Sequence, residues 1–252
     1  MLHDHPWFVS LLTLWALAGM VASLALWRIP APYGRHVRPG WGPLLPPGWA
    51  WFCMESPGAW ILAGMMLAGR PCQLLPALFG LLWIGHYFYR GFLYPALLRS
   101  TKGVPLFIVL SAIGFHCANA SLQGWELYQI RPDRPLAWLY DPRFLVGLGL
   151  FVCGFAIAAS ADMHLRRLRS TPGQQYQIPR GGVFEYVSCP NYLGEIVEWT
   201  GWAIMTWTWS GLVFAGWVVA NLLPRAAAHH RWYRQQFADY PAQRKALFPG
   251  LW

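Results

Sequence analysis

Apolar residues along this chain gather into seven long runs, and the short polar stretches between them carry most of the Lys and Arg. The runs are Trp7 to Trp27, Trp49 to Leu67, Gln73 to Leu98, Val104 to Ile130, Phe144 to Leu165, Leu193 to Trp209 and Gly211 to Trp232. At 1.5 Å rise per residue, about 17 to 25 apolar residues cross the hydrocarbon layer as a helix. The pattern therefore predicts an all-α, polytopic integral membrane protein with seven transmembrane helices in a single domain, 1–252. Only Trp209-Ser210-Gly211 separates the last two runs, which predicts an antiparallel hairpin. The first run follows Met1-Leu2-His3-Asp4-His5-Pro6, lacks a basic leader and is longer than a signal-peptide core, so it reads as a retained helix.

Polar residues inside these runs are the informative exceptions. Asn191, Glu195 and Glu198 stand at i, i+4 and i+7, on one helical face. A carboxylate at the centre of a membrane helix costs about 2.5 to 3.5 kcal/mol, so two on one face call for partners or a ligand. Tyr87, Arg90 and Tyr94 share a face of the third run beside His86, and Arg90, deep in the run, needs an anion. His116, Asn119 and Gln123 repeat at helical spacing on the fourth; interhelical hydrogen bonds would explain the amides equally well. Glu55 is expected at the entrance to the second run, where a site role outweighs the alternative of an interfacial carboxylate before a helix-starting Pro57. Asp162 closes the fifth run ahead of Arg166, Arg167, Arg169 and a Pro172-Gly173 loop leading to Tyr176, an arrangement suited to a phosphate-bearing ligand as well as to a helical ion pair. Arg225, His229 and Tyr233 recur every four residues on the last run. These faces would converge on an enclosed cavity near one membrane surface, with Trp and Phe forming an apolar chamber.

Composition narrows the classes. With 56% hydrophobic and only 12% charged residues, the chain lies outside the soluble range. Placing the N-terminus outside leaves Arg70, Arg131, Arg134 and Arg143 in outer loops and the other loop cations inside, so positive-inside bias predicts a cytoplasmic C-terminus. That bias also accounts for a net charge of +9 without nucleic acid, for which the dispersed basic residues form no soluble face. Five scattered cysteines form no CxxC and the eight histidines no metal pattern, so no metal is expected. The chain has neither GxGxxG after a strand nor GxxxxGK[ST], which excludes a soluble-type nucleotide domain.

Ordered motifs over most of the chain resemble the membrane-embedded steroid 5α-reductases, most nearly the mammalian type 2 branch. They are Tyr33-Gly34-Arg35-His36, Ala50-Trp51-Phe52 with Glu55, His86-Tyr87-Phe88, Leu122-Gln123-Gly124, Ile178-Pro179-Arg180-Gly181-Gly182, Asn191-Tyr192-Leu193-Gly194-Glu195-Ile196-Val197-Glu198-Trp199, His229-His230-Arg231-Trp232-Tyr233, and Asp239-Tyr240-Pro241 with Arg244-Lys245-Ala246-Leu247. The resemblance implies NADPH-dependent reduction of the C4–C5 double bond of a 3-oxo-Δ4-steroid. Glu55 and Tyr87 would be the catalytic pair on the steroid ketone, and Tyr33, Trp51, Phe115 and Trp199 the substrate walls. It assigns the cofactor to Arg35, Arg90, Asn119, Asp162, Arg169, Tyr176, Asn191, Glu195, Glu198, Arg225, His229 and Tyr233. Residues 1–130 would mainly hold steroid and 131–252 mainly NADPH. Two positions depart from the pattern: Ala158 replaces an Asn and Ser111 an Arg.

A related sterol reductase or isoprenylcysteine-type methyltransferase would share the C-terminal motifs, but a methyltransferase has no need of Glu55 with His86-Tyr87; a sterol carrier would not need the arginines and paired carboxylates. Membrane lipids and a steroid or fused-ring enone are the expected partners, and a monomer is expected. Seventeen Arg against two Lys suggest a high-GC genome and a bacterial inner membrane, with the endoplasmic reticulum the alternative.

Overall fold

A computed structural model describes residues 4–69, 73–98, 102–168 and 176–252. The chain is mostly helical: α1 (Pro6–Arg28), α2 (Pro47–Ala68), α3 (Leu74–Phe88), the single turn α4 (Tyr94–Ala96), α5 (Leu106–Trp125), α6 (Pro142–Leu168), α7 (Pro190–Thr206) and α8 (Trp209–Gln236). Prolines open α1, α2, α6 and α7, where the missing N–H is harmless and the fixed φ suits a first turn. Four helical segments, Pro6–Arg28, Leu106–Ile130, Pro142–Leu168 and Trp209–Gln236, are long and apolar enough to cross a bilayer, marking an integral membrane protein. Among the described residues the departures from all-helix are an isolated parallel bridge between Val187 and Lys245 and a two-residue antiparallel pairing of β1 (Leu44–Leu45) with β2 (Val104–Pro105), which ties the α1–α2 linker to the start of α5.

Two boundaries differ from the hydropathy reading. Glu55 is not at a helix entrance: α2 starts at Pro47 and runs through Pro57, so Glu55 lies more than two turns inside, 8% exposed. The third run is interrupted by a π turn, Tyr89–Leu93, between α3 and α4. Pro95 cannot donate to the Gly91 carbonyl and crowds it, a sufficient reason for the wider turn. Gly91 sits there with its Cα against the Glu55–Ser56 backbone, where a Cβ would come 3.2 Å from the Ser56 nitrogen.

The firmest helix contact is glycine-mediated. Gly147 and Gly154 of α6 and Gly194 and Gly201 of α7 each recur after seven residues, and a Cβ at any of them would overlap backbone of the opposite helix. Small residues let two helices approach to backbone contact. Gly154 faces Glu198 and Gly147 faces Met205, a constant antiparallel register that eight residues further brings Asp162 to the start of α7. The α7–α8 hairpin turns on Trp207, in the left-handed region at φ 47, and Thr208, whose side chain accepts from the Gly211 N–H at 3.1 Å. The Glu126 carboxylate accepts from the Trp209 and Ser210 N–H groups at 3.1 and 2.7 Å, satisfying donors that begin α8. On the other side of α8, Trp217 sits on Gly19 of α1 and donates from Nε1 to the Trp15 carbonyl at 2.7 Å.

Candidate active site

Among the described residues the helices surround a chamber of about 650 Å³, within the range of small-molecule sites. Its wall combines aromatic residues, Trp51, Tyr87, Phe115, Trp199, Phe214 and Trp217, with a basic group of Arg35, Arg225, His229 and Tyr233. The same wall carries a charge cluster centred on Arg90.

The guanidinium of Arg90 donates to Asp162 Oδ2 at 3.0 Å and Glu55 Oε1 at 3.4 Å, and stands 3.5 Å from Glu195 Oε1. Its flat face lies 5.1 Å from the ring centres of both Trp51 and Tyr94. Asn191 Nδ2 donates to the other Asp162 oxygen at 3.1 Å. The π turn aims Arg90 at carboxylates from three different helices: Glu55 on α2, Asp162 on α6 and Glu195 on α7. The partners Arg90 meets here are thus carboxylates of the protein, and it links Glu55 to Asp162. Glu55 also stands 3.4 Å from His116 Nε2, and the Tyr87 and His116 rings meet edge-on at 5.2 Å.

A second chain of contacts crosses the basic group. Arg225 donates to the Tyr192 hydroxyl at 3.1 Å, which bonds His229 Nε2 at 3.0 Å, while His229 Nδ1 bonds His36 Nε2 at 3.1 Å. His36 lies in the turn between α1 and α2, outside the helices. Burial, with Arg35, Arg38 and Arg231 close by, pushes its pKa down from the ordinary 6.5 to about 4, so the ring is neutral at pH 7. Arg35 is boxed by the rings of Tyr176, Trp232 and Tyr233 at 5.1, 4.5 and 4.5 Å and donates to the Tyr233 hydroxyl at 3.2 Å.

Fifteen of the sequence-derived positions line this chamber: Tyr33, Arg35, Trp51, Glu55, Tyr87, Arg90, Phe115, Asp162, Tyr176, Asn191, Glu195, Trp199, Arg225, His229 and Tyr233. Arg169 lies outside the described residues. Two positions depart. Glu198 is fully buried and turned to His86, Nδ1 to Oε1 2.6 Å, and Asn119 is 1% exposed; neither is in the chamber wall. The i, i+7 relation puts Glu198 near the face of Asn191, but the heptad drift and the close glycine contact with α6 turn it away from Glu195. His116 and Tyr192 are wall residues that the motif reading passed over. Both were visible as polar positions beside assigned ones, but only the cross-helix partners reveal their direction. Of the departures from the motif pattern, Ser111 is in the wall, whereas Ala158 packs against Gly194 in the α6–α7 contact.

Comparison with known proteins gives a consistent answer. A family profile described as 3-oxo-5-alpha-steroid 4-dehydrogenase matches residues 102–252. The chain is 43% identical over 254 residues to "Steroid 5-alpha-reductase DET2" of Gossypium hirsutum, covering 96% of both chains. It is 38% identical to "3-oxo-5-alpha-steroid 4-dehydrogenase 2" of Rattus norvegicus over 99% of this chain and 98% of that one, and 38% identical to "3-oxo-5-alpha-steroid 4-dehydrogenase 1" of Bos taurus over 92% of each. The similarity spreads over plant and mammalian branches alike and does not single out type 2.

Proposed function

Because the chain belongs to the 3-oxo-5-alpha-steroid 4-dehydrogenase family, oxidoreductases acting on CH–CH groups, we propose that it reduces the C4–C5 double bond of 3-oxo-Δ4-steroids, or of closely related fused-ring enones, with NADPH. The observation that carries this reading is the joining of Glu55 to Asp162 and Glu195 through Arg90, and of Asp162 to Asn191, in a chamber whose wall also holds Tyr87.

The donor set fits a nicotinamide dinucleotide. Arg35 Nη1 is buried without a hydrogen-bond partner among the described residues, in the basic group where Arg225 also lines the wall. Planar guanidinium forks suit phosphate oxygens. In this assignment Asn191 and Glu195 address the carboxamide, Asp162, Arg169 and Tyr176 the adenosine half, and Arg35 and Arg225 the phosphates, with His229 and Tyr233 beside them. When bound, the cofactor supplies hydride. The chain's own residues do the rest: Tyr87 donates from its phenol to the C3 oxygen, and Glu55 closes on the same oxygen, to which it can donate only when it carries a proton. Donors aimed there stabilise the negative charge that grows on the oxygen as C5 is reduced. Tyr33, Trp51, Phe115 and Trp199 exclude water from the enone, which strengthens those hydrogen bonds.

We also infer seven spans, adding α2, α3 with α4, and α7 to the four apolar segments, with the N-terminus outside and the basic group of the chamber cytoplasmic. The Arg-rich composition favours a bacterial inner membrane, the endoplasmic reticulum being the eukaryotic alternative, and a monomer encloses the chamber by itself. The test is incubation of detergent-purified protein with progesterone or testosterone and NADPH deuterated at nicotinamide C4. Label is expected at C5 of a 5α-reduced product, with the new C4 hydrogen from solvent. No reduced product across several 3-oxo-Δ4-steroids would overturn the substrate assignment, and C5 label drawn from deuterated water would overturn direct transfer.

A further inference from the structure

Reduction of an enone needs a proton at C4 as well as hydride at C5, and the Glu55–Tyr87 pair, committed to the C3 oxygen, does not account for it. Resting on that substrate reading, we propose that His86 is the acid that protonates C4 and that Glu198 is the positioning residue that aims it.

The two side chains form a buried dyad bridging α3 and α7. His86 is 6% exposed and Glu198 0%, and Nδ1 lies 2.6 Å from Glu198 Oε1. A carboxylate accepts, so Nδ1–H donates, and the remaining ring nitrogen, Nε2, is left for the chamber that His86 lines. The ring is wedged edge-on between Tyr87 and Trp199, at 4.9 and 4.5 Å between centroids, and has little freedom to turn. Adjacency to Tyr87 matters because C4 is bonded to C3. A group that protonates C4 must stand beside the group that holds the C3 oxygen, and His86 is its immediate neighbour.

The step balances. The electron pair of the C3–C4 enolate takes the proton from Nε2–H, forming the C4–H bond and restoring the C3 ketone; the imidazolium becomes neutral imidazole, and one solvent proton recharges it before the next turnover. While His86 is charged, Glu198 at 2.6 Å supplies the opposite charge, the division of labour of a carboxylate–histidine pair in acid–base catalysis. Glu198 Oε2 has no hydrogen-bond partner among the described residues, so His86 is its one ring partner there. His116, also in the wall, is the competing candidate, but its Nε2 faces Glu55 and its Nδ1 is buried and unpartnered.

The same proton can be followed without turnover of cofactor. A 5α-reduced 3-oxo-steroid incubated with the wild-type protein in deuterated water should acquire deuterium at C4, because the acid that delivers that proton must remove it in reverse. His86→Asn keeps an N–H donor for Glu198 but has no titrating nitrogen. It should slow the wash-in by about 100-fold or more, the range of general acid–base catalysis. Glu198→Gln should slow it less, and a loss in His116→Asn greater than that in His86→Asn would assign the proton to His116. In turnover, His86→Asn should raise the solvent isotope effect and bring the effect of deuterated nicotinamide towards unity, as the proton step becomes limiting. NADPH binding by each variant checks folding. Undiminished wash-in in folded His86→Asn, or dependence on His116 instead, overturns the proposal while leaving the reductase reading intact. A wild-type protein that reduces no 3-oxo-Δ4-steroid overturns that reading first, and the proton donor with it.

Discussion

Replacing Gly154 with Ala tests whether backbone contact between α6 and α7 sets the cofactor end of the site. The added methyl would overlap the Glu198 nitrogen and Cα and the Gly194 carbonyl oxygen, all backbone, so no rotamer change relieves the clash and the helices must part. Overpacking of this kind costs about 1 to 3 kcal/mol, a factor of roughly 5 to 150 in the folding equilibrium. The displacement has a functional direction. The register runs from the Gly154 crossing to Asp162, whose carboxylate meets Asn191 at 3.1 Å and Arg90 at 3.0 Å. Stretching a hydrogen bond to a charged group forfeits about 1.5 to 3 kcal/mol, so NADPH affinity should fall by about tenfold or more. Thermal unfolding in detergent and NADPH titration read the two effects separately. Gly149→Ala is the internal control: it lies on the same helix with nothing within 4 Å of its Cβ, and it should show neither loss. Wild-type melting and wild-type NADPH affinity in Gly154→Ala would refute the close-contact argument.

Glu55→Gln and Tyr87→Phe should each depress turnover by about 100-fold, equivalent to about 3 kcal/mol of lost stabilisation at the C3 oxygen, with NADPH binding near wild type; full turnover at saturating steroid would remove that residue from the mechanism. Asn191→Ala and Glu195→Ala should act on NADPH affinity before turnover, and Arg169→Ala should narrow the preference for NADPH over NADH; an unchanged ratio would dissociate Arg169 from the 2′-phosphate. His36, held at a pKa of about 4 against 6.5, sets a pH window. The unfolded chain takes this proton first as pH falls, so the stability contributed by the neutral ring is fully present above about 6.5 and is lost as pH drops to about 4. Melting between pH 7.5 and 4 should therefore fall more steeply for the wild type than for His36→Gln, and parallel curves would exclude His36 as the cause.

Hydropathy alone located the helices to within a few residues because burial in lipid demands apolar length. It could not place the π turn after Phe88, since nothing in Tyr89–Leu93 itself ends a helix and the cause, Pro95, acts backwards through a carbonyl. It also misplaced Glu55, set at the entrance to the second run: α2 begins at Pro47 and continues through Pro57, because packing in the bundle outweighs one missing bond. The glycine register of α6 and α7 was in plain view as two seven-residue intervals. Its meaning is a relation between two helices, and no single helix carries it.

The site divides along the same line. Residue type and helical face were enough to expect that Asp162, Asn191 and Glu195 serve one place, because buried carboxylates need company. Which company each finds depends on crossing geometry, and there the face argument fails for Glu198. Three residues beyond Glu195 on the same helix, it is turned to His86 rather than to Arg90, and α7 thereby supplies two different sites from neighbouring turns. Arg90 was read as a residue short of an anion, and it meets three. Reaching both Glu55 and Asp162, 3.4 and 3.0 Å from the same guanidinium, it makes the position of Glu55, the carboxylate proposed to hold the ketone, depend on the helix that carries Asp162. Under the proposed function one side chain thus aligns the two ligands without a separate nucleotide domain among the described residues, since a movement of α6 that strains the Asp162 bond also acts on the guanidinium that holds Glu55.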